Sequence, residues 1–64
     1  MDAKTFKEYR QKLGLTQAQL SRLLGLHDGS RSVRRYEQGE RAISGPIDRL
    51  LTWLATGKKP TLDD

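Results

Sequence analysis

The sequence predicts an all-α domain, a compact bundle of four or five short helices, and three observations predict it. Apolar residues recur at helical spacing in four separate stretches. These stretches open on a capping residue or a proline and close at a glycine. Nowhere do apolar and polar residues alternate as a half-buried strand requires. The chain has 64 residues and no cysteine, so it makes one domain, assigned to residues 1–56, with a short polar tail over 57–64. A domain this small buries only about 60% of the surface its unfolded chain exposes. With neither disulfides nor thiolate metal sites to staple it, its stability must come from packing.

The first helix is expected from about Ala3 to Leu13, capped by Asp2 or Thr5 and ended by Gly14. Phe6, Tyr9 or Arg10, and Leu13 share one of its faces. The second opens on Thr16 and Gln19, the T-x-x-Q spacing in which hydroxyl and amide reciprocally satisfy backbone donors left free at a helix start. Leu20, Leu23 and Leu24 follow on one face, and Gly25 supplies a left-handed stop. After the break at HDGS comes RSVRRYEQG, residues 31–39. A turn of about 100° per residue groups Val33, Tyr36 and Glu37 on one side. Arg31, Arg34, Arg35 and Gln38 fall opposite, with no acid among them, and Gly39 ends the helix. The last helix enters through Ser44, Gly45 and Pro46, where proline has no amide hydrogen to leave unpaired. Ile47, Leu50, Leu51 and Leu54 follow at i, i+3, i+4 and i+7.

A common core is therefore expected from Phe6, Leu13, Leu20, Leu23, Leu24, Val33, Tyr36, Ile47, Leu50, Leu51 and Leu54. Two charges share these inward faces, Arg10 and Glu37. Buried charge demands a partner, so the two are expected to pair and tie the first helix to the third.

Lysine and arginine total 12 against 8 acids, a net charge of +4 with a pI near 9.9. That balance favours an anionic partner. No apolar run approaches the roughly 18 residues of a membrane span. The start MDAKTFKEYR lacks the apolar core of a signal peptide, so a soluble cytoplasmic protein without membrane contact is expected. His27, Asp28 and Ser30 put a base, an acid and a nucleophile close together, yet proximity in sequence is not triad geometry, and such residues in a turn make caps and turn hydrogen bonds. One histidine without cysteine gives no metal site. Neither enzyme activity nor a cofactor is expected.

The segments LGLTQAQLSRLLGL at 13–26 and VRRYEQGER at 33–41 resemble the helix-turn-helix of the lambda repressor and Cro class, the XRE family. The resemblance runs roughly from Lys4 to Ala55, and its combination of T-Q-x-x-L with a later E-x-G-x-R is fairly specific. It implies a lambda repressor-like fold whose third helix enters the major groove of double-stranded DNA, a groove about 12 Å wide that admits one helix. By position in the family motif, Ser30, Arg31, Arg34 and Arg35 lie nearest base edges. Arg31 and Arg35 are the preferred readers, since arginine bonds guanine O6 and N7 in a two-pronged contact; Arg34 could equally clamp a phosphate. Thr16 and Gln17 are implied for the DNA backbone and Arg41 for the backbone or the minor groove, with Ser44, Lys12 and Arg22 as weaker backbone candidates. Thr16 has its capping role as well. An arginine–glutamate pair like Arg10 and Glu37 is also common in the family.

One departure stands out. The break from Leu24 to Arg31 is about two residues longer than the usual turn of roughly 3–4, which leaves Asp28, Gly29 and Ser30 as alternative caps for the third helix. Trp53, off the apolar stripe of the last helix, is either a core-edge residue or a dimer contact. Family members pair through this region, so the resemblance implies a homodimer on an inverted-repeat operator, with recognition helices about 34–36 Å apart. No effector domain is visible, so the expected role is a small Cro-type transcriptional repressor acting by operator occupancy. Two alternatives stay open: an antitoxin that binds a toxin and represses its own operon, and a helical protein-interaction module without specific DNA contact. The chain shows no run of exposed aromatics for stacking on RNA.

Overall fold

A computed structural model describes residues 1–58. They form four helices, α1 (Ala3–Lys12), α2 (Gln17–Leu23), α3 (Arg31–Glu37) and α4 (Gly45–Thr56), and no strand. Beyond Gly57 and Lys58, the tail assigned from the sequence lies outside the described residues. α1 packs against both α3 and α4, and α2 packs against α3.

The helix starts follow from side-chain chemistry. Asp2, not Thr5, caps α1: its Oδ1 accepts the Thr5 amide at 2.8 Å, a bond that holds the carboxyl below the usual carboxylate range. At α2 the capping box is complete. The Gln19 amide donates to Thr16 Oγ1 at 3.1 Å, and the Thr16 amide donates to Gln19 Oε1 at 2.9 Å, so two orphan donors are satisfied reciprocally. α4 begins at Ser44 with proline in its first turn.

Three helix ends repeat one device. At α3 the Gly39 amide donates to the Tyr36 carbonyl and the Glu40 amide to the Arg35 carbonyl, the paired bonds of a Schellman motif. Gly39 carries a φ of 72° there, which costs a residue with a Cβ about 1–2 kcal/mol. The same pair of bonds closes α1, from Gly14 to Gln11 and Leu15 to Arg10, and α2, from Gly25 to Arg22 and Leu26 to Ser21. After α1 and α2 the residue following the glycine, Leu15 or Leu26, turns back and packs against the core. After α3 that residue is Glu40, which is exposed.

The fully buried centre is Phe6, Leu20, Val33, Tyr36 and Leu51. The Phe6 and Tyr36 rings meet at 5.3 Å between centroids, tilted by 51°, within the range where aromatic pairs add to area burial. Leu13, Leu24, Ile43 and Ile47 pack around this centre, half-buried.

Two expected core leucines are on the surface instead. Leu23 is 50% exposed and Leu54 39% exposed, and in each case the helix is rotated about its axis. In α2 the buried pair is Leu20 and Ser21. At about 100° per residue, Leu23 then lies ~110° from their midline. Ser21 can occupy the interior because its hydroxyl donates to the Leu26 carbonyl at 3.3 Å, leaving no orphaned donor to penalise burial. In α4 the buried face runs through Leu51 and Ala55, so Ala55 takes the place expected for Leu54. The flank of α4 turned inward carries Asp48 and Thr52, whose needs are met locally. Thr52 Oγ1 donates to Asp48 Oδ1 at 3.2 Å, and the Met1 amino group pairs with Asp48.

Arg10 and Glu37 meet in two bonds, Arg10 Nε to Glu37 Oε2 at 2.6 Å and Arg10 Nη2 to Glu37 Oε1 at 3.1 Å. Their side chains are 13% and 4% exposed. Arg10 Nη1 donates to the Leu15 carbonyl at 2.9 Å, and Gln17 Nε2 donates to Glu37 Oε1 at 3.2 Å. α1, the turn after it, the start of α2 and the end of α3 thus converge on one ion pair. Removing one member of a buried pair strands the other without water. Replacing Glu37 by Ala should therefore cost roughly 3–5 kcal/mol, read by thermal or urea denaturation; a loss below about 1 kcal/mol would show that the surrounding polar groups carry the guanidinium unaided.

Candidate nucleic-acid interface

α3 owes its orientation to Val33 and Tyr36, which bury one side of it against the core. The opposite side is left to solvent, and there Arg31, Arg34, Arg35 and Gln38 line a shallow, open concavity of about 240 Å³. All four are exposed. The two ion pairs among the described residues, Met1 with Asp48 and Arg10 with Glu37, involve none of these three arginines. Their guanidinium groups are thus presented as planar, five-donor forks facing water.

A fifth residue lines the same concavity, the exposed Glu40. Helical projection of α3 showed an acid-free face, and it did so because Glu40 lies beyond the helix, past the left-handed turn at Gly39. The signal that could have placed it is the repeat of glycine followed by one residue at 14–15, 25–26 and 39–40. The Schellman turn folds the residue after the glycine back along its helix, so a polar residue there joins the helix's exposed face.

The long turn before α3 is organised by Asp28. Its Oδ2 accepts the Ser32 amide at 3.2 Å and also the Ser32 hydroxyl, while Oδ1 accepts the Ser21 hydroxyl at 3.5 Å. The Asp28 carbonyl accepts the Arg31 amide at 3.3 Å. Of the three possible caps, Asp28 therefore does the capping. Ser30 occupies the N-cap position, half-buried, with no side-chain bond to the helix. His27 and Ser30 make no side-chain hydrogen bond among the described residues, and Asp28 turns to Ser32 and Ser21, so no relay links the three.

Arg41 folds back over α3. Its Nη1 donates to Ser32 Oγ at 3.1 Å, and its guanidinium sits 5.5 Å from the centre of the Tyr36 ring, within reach of a cation–π contact. Ser32 thereby joins the segment after α3 to the turn before it, and it is 5% exposed. At the start of α2, Thr16 is exposed and engaged in its capping box, whereas Gln17 is half-buried with its amide on Glu37. Ser44 is exposed at the start of α4. On α4, Trp53 is 42% exposed, on the side about 180° from the Leu51–Ala55 midline. The structure thus brings Arg31, Arg34 and Arg35 together, joins Gln17 to the Arg10–Glu37 pair, and keeps Ser44 and Trp53 on a separate helix. No described helix is long and apolar enough to cross a membrane.

Residues 6–47 match the model of a helix-turn-helix family. No curated protein and no solved structure matches the chain.

The Ser32 hydroxyl, followed by the Ser32 amide, holds the Asp28 carboxyl below the usual carboxylate range. A folded value depressed in this way means the contact stabilises the fold above the ordinary aspartate range, and that contribution is lost as pH falls through the depressed value. In an NMR titration the Asp28 carboxyl carbon should have a midpoint below that of aspartate in an unstructured peptide. Asp28→Ala should lower the melting temperature at neutral pH while Ser30→Ala leaves it nearly unchanged; the reverse order would return the cap to Ser30.

Proposed function

The chain belongs to the lambda repressor and Cro class of helix-turn-helix proteins, the XRE family of DNA-binding regulators, and we propose that it is a small Cro-type repressor that reads a specific duplex with α3. The observation that carries this reading is the exposed face of α3, where three guanidinium groups without an ion-pair partner among the described residues line one concavity while Val33 and Tyr36 anchor the reverse side. A helix so mounted fits the major groove with its charged edge toward the bases. Arg31 and Arg35 are the base readers in this proposal. Arg34 serves either a base or a phosphate, and Ser30 stands at the entry.

Backbone contacts are assigned to Thr16, Gln17, Arg41 and Ser44. Gln17 suits that role because Glu37 holds one side of its amide, leaving a second N–H to donate. Operator occupancy needs nothing more than a helix seated in the groove, since polymerase cannot use the same stretch at the same time. The proposed assembly is a homodimer on an inverted repeat, joined through α4. Trp53 and Leu54 are exposed there, and large exposed apolar side chains on one helix suit a protein contact.

Enrichment of random duplexes on the purified chain, followed by titration of the recovered fragment at two salt concentrations, tests the reading. A palindrome should emerge, with affinity falling steeply as salt rises because phosphate contacts release counterions; recovery of no preferred sequence would sink it. Arg35→Ala should relax preference at one base pair by about 1–3 kcal/mol, whereas Gln17→Ala should weaken all duplexes alike. Sedimentation at micromolar concentration should show Trp53→Ala shifted toward monomer, and an unchanged dimer would remove that residue from the interface.

A further inference from the structure

We propose that Glu40 is a specificity-determining residue of the interface: its carboxylate accepts a hydrogen bond from the exocyclic amino group of a cytosine at the edge of the site read by α3, a bond that offsets the repulsion between this carboxylate and the phosphates of any duplex. This rests on the DNA-binding reading above and deepens it.

Glu40 is held in place by backbone. Its amide donates to the Arg35 carbonyl at 2.9 Å directly after the left-handed turn at Gly39, so the residue is bonded to the same helix that carries the arginines. At the equivalent place after α1 and α2 the chain has leucine, and both leucines pack against the core. At α3 an acid lines the concavity with Arg31, Arg34, Arg35 and Gln38. Glu40 has no ion-pair partner among the described residues, the two pairs there being Met1 with Asp48 and Arg10 with Glu37. An exposed acid beside three arginines, unpaired among the described residues, is a standing cost for binding any polyanion, because it opposes the phosphates the arginines attract. The cost is offset only where the carboxylate also meets a hydrogen-bond donor on a base edge. In the major groove those donors are the amino groups of cytosine and adenine, and carboxylates take the cytosine N4 amino group. Guanine for an arginine and cytosine for the carboxylate would then lie within one short stretch of groove.

The test compares wild type, Glu40→Gln and Glu40→Ala on the duplex recovered by enrichment, on that duplex with each base pair changed in turn, and on random-sequence duplex. Both variants keep the backbone amide that donates to the Arg35 carbonyl, and the Glu40 side chain makes no hydrogen bond among the described residues, so both should fold. On random duplex each variant should bind roughly fivefold tighter than wild type, the size of one unit-charge repulsion at about 4 Å in water. Glu40→Ala should also lose discrimination at a single cytosine–guanine pair, about tenfold, while keeping it elsewhere. Wild type that prefers its duplex, with variants that leave both the random-duplex affinity and every base preference unchanged, would overturn the role of Glu40 and spare the DNA reading. Absence of duplex binding by all three proteins would overturn both.

Discussion

A guanidinium and a carboxylate, both nearly withdrawn from water, stand where three helices meet, and the geometry of the remaining fold depends on that meeting. Burying two charges is favourable only if their mutual attraction is joined by further hydrogen bonds that satisfy what is left over. Glu37 receives Arg10 through two bonds and Gln17 through a third, and Arg10 spends another donor on the Leu15 carbonyl. An apolar cluster could have joined α1 and α3 with comparable strength. The two-pronged contact adds a directional tie to the burial of Val33 and Tyr36, and together they keep the arginine side of α3 toward solvent.

Around that joint the helices are short, and their ends do much of the positioning. α2 and α3 have seven residues each, too few to be stable on their own. Capping at one end and a Schellman turn at the other satisfy about half of their free backbone groups. Ser32 adds a tie between the two ends of α3, through Asp28 before the helix and Arg41 after it. The exposed face therefore belongs to a rod clamped at both termini.

Much of this was legible in the residues. The four helices, the capping box at Thr16 and Gln19, and the division of α3 into an apolar and a cationic side all follow from spacing, because a regular helix turns by a constant angle. What escaped depended on polar groups whose satisfaction spacing does not encode. Ser21 is buried and Thr52 half-buried, each with its hydroxyl donating to a nearby oxygen, while Leu23 and Leu54 face solvent. Glu40 escaped for a different reason: it lies past a glycine that reverses the chain, where a helical wheel no longer applies. The cap of α3 was legible as three adjacent possibilities, and the choice of Asp28 followed from the longer reach of its carboxylate toward the Ser32 amide and hydroxyl.

The single tryptophan of the chain, Trp53, is partly open to water on a helix that carries none of the proposed base readers. Indole emission depends on the polarity around the ring, so fluorescence from this protein reports on one helix alone. Anything that covers the outer side of α4 would shift its emission to the blue. The protein thus carries a built-in optical label for contacts made on that side of α4, without added dye.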